Sequence, residues 1–369
     1  MIAVNEPLLN GNEKKYLNEC IDTGWISSEG PFIKKFEEGM ASYVGKKYAI
    51  AVANGTAALE LAAVALNLKD GDEVIMPSFT IISCAQAVVK AGAKPVLVDS
   101  DLDTFNMKVE DIEAKITPRT KAIMVVHIYG LPVDMDPVIA LAKKHNLKII
   151  EDAAEVHGQT YKGKMCGSFG DISIFSFYPN KHITTGEGGM VLTDDEALAK
   201  RCENLRNLCF IPPRRFVHEE MGWNLRMTNI QAALGVAQLE RIEEFVAKKR
   251  WIGKMYQELL GDLKNVHLPI PKNESSENIY WVFALVLKDS YPKNAEQVMK
   301  ELANHKIGTR PFFYPMHKQP VFNKMGLFLN DKMPNSETLA EKGFYIPSGL
   351  ALTLEQIKEV SRVLHEVLV

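Results

Sequence analysis

Short, continuously apolar runs recur through the first half of the chain: AIAVA (49–53), EVIMP (73–77), KPVLVD (94–99), KAIMVVHI (121–128) and LKIIED (147–152). Between them lie stretches with helical spacing of apolar positions, such as TAALELAAVALNL and DPVIALAKKHN. Strands apolar on both faces and separated by helices predict a parallel sheet covered on each side. Two closely spaced strands follow, ISIFSF (172–177) and GMVLTDD (189–195), and then a long helical region from about Glu196 to Lys249. The pattern changes after about residue 250. A loop rich in Pro, Asn and Ser, PIPKNESSEN, leads to IYWVFALVL, a helix over NAEQVMKELANHK, a strand near TRPFFYP and an amphipathic terminal helix over TLEQIKEVSRVLHEVL. The expected organisation is α/β, with a large domain over 1–250 and a smaller α+β domain over 251–369.

Composition narrows the function. Hydrophobic residues make up 46% of the 369, enough for a sizeable core and against disorder. The 43 basic and 46 acidic residues leave a net charge of -3, which favours neither nucleic acid nor an anionic membrane. Five cysteines form no CxxC pair, which points to reduced thiols in the cytoplasm. The N-terminus lacks a basic region followed by an apolar one, so no secretory signal is expected. No apolar run approaches the ~20 residues that span a bilayer, and metal-ligand spacing is absent.

Four segments hold groups that could do chemistry. In NGTAALEL (54–61), Gly55 and Thr56 follow a strand and open a helix, where free amides and the helix dipole suit a phosphate. An ordinary capped helix start would read the same way. In IIEDAAEVHG (149–158), a buried strand ends in Glu151 and Asp152, with Glu155 just beyond. Ligands of parallel sheets sit beyond strand carboxyl ends, and a carboxylate there can keep a ring nitrogen protonated. In FSFYPNKHITTGEGG (175–189), Ser176 and Lys181 precede a glycine turn. In MGWNLRMTNIQAALGVAQLER (221–241), a packing helix explains the apolar face but not the polar Asn224 and Arg226 before it.

Taken singly, each segment has a structural explanation. Their order resembles that of a fold type I pyridoxal-phosphate aminotransferase: anion cradle, strand-end Asp, then Ser-x4-Lys before GEGG. The motifs TGWISSEGPFIKKFE, NGTAAL, GDEVIMPSFT, TPRTKAIMVVHIYG, IIEDAAEVHG, FSFYPNKHITTGEGGM, NLRMTNIQAALGVAQLER and RPFFYPMH are similar, over essentially the whole chain, to the DegT/DnrJ/EryC1/StrS group of nucleotide-sugar aminotransferases.

The resemblance implies a mostly parallel central sheet with helices on both faces. It implies that Lys181 carries pyridoxal phosphate covalently and that Asp152 pairs with the ring nitrogen. Glu155 would meet the ring hydroxyl, while the Thr56 and Ala57 amides and the Ser176 hydroxyl would hold the phosphate. Asn224 and Arg226 would come from the neighbouring subunit of a homodimer that shares its active site. Trp25, Ser27 and Ser28, in an N-terminal segment (1–30) near the site, would lie by the sugar nucleotide. Arg310, Tyr314 and His317, and Arg214 and Arg215, are further substrate candidates, with the arginines suited to a diphosphate. Glutamate is the implied amino donor, the cofactor passing through its pyridoxamine form. The implied acceptor is a 4-keto-6-deoxy nucleotide sugar, GDP-4-keto-6-deoxymannose giving GDP-perosamine, for surface polysaccharide such as O-antigen of lipopolysaccharide.

The chain departs from the group's pattern twice. Many members carry an aromatic after the threonine of PSxT, whereas PSFTIISCA places Ile81 there, with Phe79 as a candidate substitute. FYP-x-x-H also resembles pyridoxamine-dependent sugar 3-dehydratases of the same superfamily, in which a histidine replaces the lysine. Here the covalent position, before His182, is Lys181, so transamination is expected over dehydration or cofactor binding without catalysis.

Overall fold

The computed structural model describes residues 1–210 and 213–368. Thirteen strands form among them: β1 Tyr48–Val52, β2 Glu73–Pro77, β3 Lys94–Val98, β4 Thr120–Val126, β5 Lys148–Asp152, β6 Thr160–Tyr161, β7 Lys164–Met165, β8 Ile172–Ser176, β9 Gly189–Thr193, β10 Val266–His267, β11 Phe283–Leu287, β12 Arg310–Pro311 and β13 Gly343–Ile346. Seven build the main sheet, in the order β1-β9-β8-β5-β4-β2-β3. Every neighbouring pair from β8 to β3 is parallel, and β9 alone runs against the rest. The apolar runs of the sequence are these strands. They are buried on both faces because helices cover both, and two hydrophobic clusters lie on opposite sides of the sheet.

The parallel arrangement brings the carboxyl ends of β4, β5 and β8 to one edge of the sheet, the place where such folds bind ligands. Side-chain alternation then separates the two acids that end β5. Glu151 turns into the 167–173 segment, where it accepts from the Gly167, Phe169 and Gly170 amides and the Ser173 hydroxyl, and it lies 3.1 Å from His127 Nε2. Burial opposes its charge, yet His127 and those amides outweigh burial and hold its pKa low. Asp152 faces the other way.

The long helix expected over 196–249 is broken. Helix Glu196–Arg206 ends before Leu208 and Cys209, whose φ values of 56° and 50° no right-handed helix can continue. A new helix, Asn229–Leu239, starts at a capping box between Thr228 and Gln231. The next, Ile242–Leu260, runs across residue 250 into the C-terminal part. There β10, β11, β13 and β12 form an antiparallel sheet with its own hydrophobic cluster, against which Leu354–Val367 packs. The strand expected near TRPFFYP shrinks to Arg310 and Pro311. Helices Glu13–Thr23 and Pro31–Val44 precede the main sheet and end at Gly24 and Gly45, both left-handed.

Candidate active site

Beyond the ends of β5 and β8 lies a cavity of about 630 Å³. Its floor is Asp152 and Ser176, one wall is the start of helix Gly55–Ala65, and Trp281 and Tyr345 close it from the C-terminal side. Asn54 caps that helix: its side chain accepts from the Ala57 amide at 2.8 Å and its carbonyl from Ala58 at 3.1 Å. Gly55 and Thr56 therefore present their amides at the cavity mouth. A Cβ on Gly55 would lie 2.7 Å from the Ser176 Cβ, so glycine lets the helix start sit against that serine. The Thr56 hydroxyl is 2.8 Å from the Ser83 hydroxyl. A helix N-terminus ringed by Thr56, Ser83 and Ser176 is an anion cradle.

Lys181 enters the same cavity. Its Nζ stands 3.8 Å from Glu155 Oε1 and 4.0 Å from the centre of the Trp281 ring. Burial pushes the lysine's pKa down, and the charges of Glu155 and Asp152 pull it back up. Glu155 accepts from the Tyr129 amide at 2.9 Å, and burial pushes its pKa up to about 7 against the pull of Lys181. Asp152 accepts from the Ala154 amide at 3.0 Å. Burial also raises its pKa, opposed by that amide, Lys181 and the Cys84 thiol. The site thus offers an amine for a carbonyl carbon, a buried carboxylate for a ring nitrogen, a second acid beside the amine, and a phosphate cradle in the same cavity. Pyridoxal phosphate fits these groups.

Several expected residues lie elsewhere. Ala57 gives its amide to Asn54 rather than to the cavity. Ile81 does line the cavity and is 43% exposed. Phe79 does not replace it, because its ring packs into Tyr129, Phe312 and Phe313 at about 6 Å. His317 is buried between the Ser78 hydroxyl, at 2.8 Å, and Glu337, at 2.9 Å, a structural position that leaves no ring nitrogen for substrate. Arg310 and Tyr314 are exposed at the rim of the small sheet. His182 turns away from Lys181's cavity and packs, fully buried, 5.8 Å from the ring of His157.

The remaining candidates gather around a second cavity of about 590 Å³, lined by Ser28, Asn207, Arg215 and Arg226. Asn224 bridges Asn207 through the backbone, and Arg226 donates to the Asn207 side chain at 2.5 Å. Arg214 is exposed, 3.5 Å from Glu219. Trp25 and Ser27 are exposed too; their carbonyls take hydrogen bonds from Asn229 at 2.6 and 2.7 Å, so this helix start holds the 25–30 segment in place. None of these residues lines the first cavity. Sequence reading missed Trp281, Tyr345 and Ser83. Trp281, written in IYWVFALVL ahead of β11, looked like one more apolar strand residue. Only the packing of the two sheets turns it over Lys181.

Fold and site together define a pyridoxal-phosphate-dependent sugar aminotransferase of fold type I. The chain belongs to the DegT/DnrJ/EryC1/StrS aminotransferase family, which it matches over residues 7–365. It is 44% identical to a GDP-perosamine synthase of Escherichia coli, over 99% of this chain and 98% of that one. It is 45% identical to a GDP-perosamine synthase of Caulobacter vibrioides, over 100% and 98%. Spr1654 of Streptococcus pneumoniae, solved in its PLP form, superposes with a TM-score of 0.91 at 25% identity, each chain covered in full (100%). No described helix is long and apolar enough to cross a membrane.

Proposed function

We propose that this aminotransferase moves an amino group from glutamate to GDP-4-keto-6-deoxymannose, producing GDP-perosamine and the keto acid of the donor. The observation that carries the reading is Lys181: an amine whose side chain is only 10% exposed, at the position where a dehydratase would have a histidine, in a chain that matches two GDP-perosamine synthases along its length.

Bound pyridoxal phosphate would supply the electron sink that stabilises charge at the carbon losing its proton. The chain's own groups do the rest. Lys181 would hold the cofactor, and its amine, beside Glu155, is placed to move a proton as base and acid. Asp152 would keep the ring nitrogen charged, and Glu155 would meet the ring hydroxyl. The Gly55 and Thr56 amides with the Thr56 and Ser176 hydroxyls, all lining the cavity, would anchor the phosphate, while Ile81 and Trp281 would exclude water.

The second cavity supports a homodimer with shared sites. It holds Arg215 and Arg226, suited to a diphosphate, yet none of its residues lines the cavity of Lys181. Ile21, Trp25 and Ile26, with Phe216, Val217, Met221 and Trp223, are large exposed apolar side chains near these loops, a surface fit for a second copy. In this reading the chain divides near residue 250, works in the cytoplasm with its cysteines unpaired, and feeds surface polysaccharide synthesis.

Purified protein loaded with pyridoxal phosphate should lose its cofactor absorption band on adding glutamate. The band should return with GDP-4-keto-6-deoxymannose, amino sugar appearing, and less well with UDP- or dTDP-linked keto sugars. A deoxygenated product without retained nitrogen would mean dehydration. Lys181→Ala should lower turnover by at least about 10³-fold with an unchanged circular dichroism spectrum; substantial residual turnover would sink the assignment.

A further inference from the structure

One buried thiol touches the site without a part in the chemistry above. Cys84 lies in the first turn of helix Ile82–Lys90 and is fully buried. Its Sγ donates to Asp152 Oδ2 at 3.3 Å and lies 3.4 Å from the Thr80 hydroxyl, which is itself buried at the cavity wall. Asp152 accepts from only two protein groups among the described residues, the Ala154 amide on Oδ1 and this thiol on Oδ2. A carboxylate turns about its last torsion easily, so one donor on each oxygen is what fixes its plane.

We propose that Cys84 is the positioning residue for Asp152: its thiol orients the carboxylate toward the ring nitrogen and favours the charged form that keeps that nitrogen protonated. This rests on the role given to Asp152 above. Three features of the chain support it. The thiol stays protonated, since burial and the neighbouring Asp152 raise its pKa well above the usual range, so it can only donate to the carboxylate. The same helix start carries Ile81 at its N-cap and Ser83 against Thr56. One short turn thus sets the cavity wall, the phosphate cradle and Asp152 together. Burial raises the pKa of Asp152, and the Ala154 amide, the charge of Lys181 and the Cys84 thiol each oppose that rise.

Two measurements test the proposal, one without cofactor. In cofactor-free protein, the S–H stretching band of Cys84 is found by difference from Cys84→Ser. Asp152→Asn should move this band to higher frequency; an unmoved band overturns the proposal, since the thiol then does not donate to Asp152. In loaded enzyme with ring-¹⁵N cofactor, Cys84→Ala should move the ring-nitrogen resonance toward its unprotonated position and lower kcat about tenfold. Cys84→Ser, which keeps a donor, should restore both. Equal loss in the two variants with an unmoved resonance would reduce Cys84 to packing and overturn the proposal. If Asp152→Asn leaves the ring resonance where it was, the assignment of Asp152 fails and takes the proposal with it, even where the band shift shows the bond.

Discussion

At Ile81 an aliphatic side chain faces the cavity, and Phe79, buried among three other rings, offers no ring in its place. Offset stacking is worth about 1 kcal/mol beyond burial. Ile81→Phe should therefore tighten cofactor binding about fivefold, read as a lower Kd for pyridoxal phosphate; unchanged affinity would mean that the ring is not covered from this side. Behind Lys181, burial pushes His157 down to about 3, with the like charge of Lys181 adding to it, and carries His182 well below the ordinary imidazole range. The unfolded chain takes up these protons near pH ~6.5, whereas the fold refuses them until far lower pH. Stability should consequently fall as pH drops from about 6.5 towards about 3. His157→Leu should show a shallower fall in Tm over this window than the parent chain, and an unaltered slope would contradict the buried neutral state. The histidine beside Lys181 is thus a core residue, and its proximity in sequence says nothing about reach into the cavity.

Elements, more than single residues, set how the two sheets meet. Lys249, in helix Ile242–Leu260, is buried, and its amine donates to the carbonyls of Trp281 at 2.7 Å and Ser348 at 2.6 Å. It ties the helix to the lead-in of β11 and to the turn after β13. Trp281 in turn donates through its indole to the Asn180 carbonyl at 2.8 Å, next to Lys181. A clamp in the helix thereby reaches the Lys181 amine through one aromatic side chain. Lys249→Met keeps the volume and leaves two buried carbonyls unpaired, at a cost of about 2 kcal/mol. A lower Tm and a reduced kcat should appear together in this variant; normal activity in a destabilised protein would mean that the clamp does not govern Trp281. The break in the expected 196–249 helix belongs to this scale as well. Apolar periodicity continues on both sides of it, so the pattern alone reads as one helix. Two residues of positive φ and a fresh capping box decide otherwise.

For the whole molecule, the two cavities are the central fact. One chain carries Lys181, Asp152 and Ser176 in the first and Arg215 and Arg226 in the second. If a neighbouring copy completes each site, chains with complementary defects should rescue each other. Co-expressed Lys181→Ala and Arg226→Glu chains should recover activity that neither shows alone, because a mixed dimer keeps one intact site. No recovery in a verified mixed dimer would place both sets of residues in the same chain's reaction.

The strands of the main sheet, the family, Lys181 and Asp152 were legible in the chain itself, because doubly buried strands read as unbroken apolar runs and because the strand-end acid and the lysine before GEGG belong to local motifs. Thr56 and Ser176, singled out from local sequence, do line the cavity, while Ala57 gives its amide to its own helix cap and His317 packs between Ser78 and Glu337. What the tertiary structure alone decided is whatever depends on contacts between distant segments. Trp281 over Lys181 and Cys84 against Asp152 join residues about 70 to 100 positions apart, and the arginines take a cavity separate from that of the lysine. Spacing along a strand or helix reports which face a side chain takes, but not which remote side chain that face will meet.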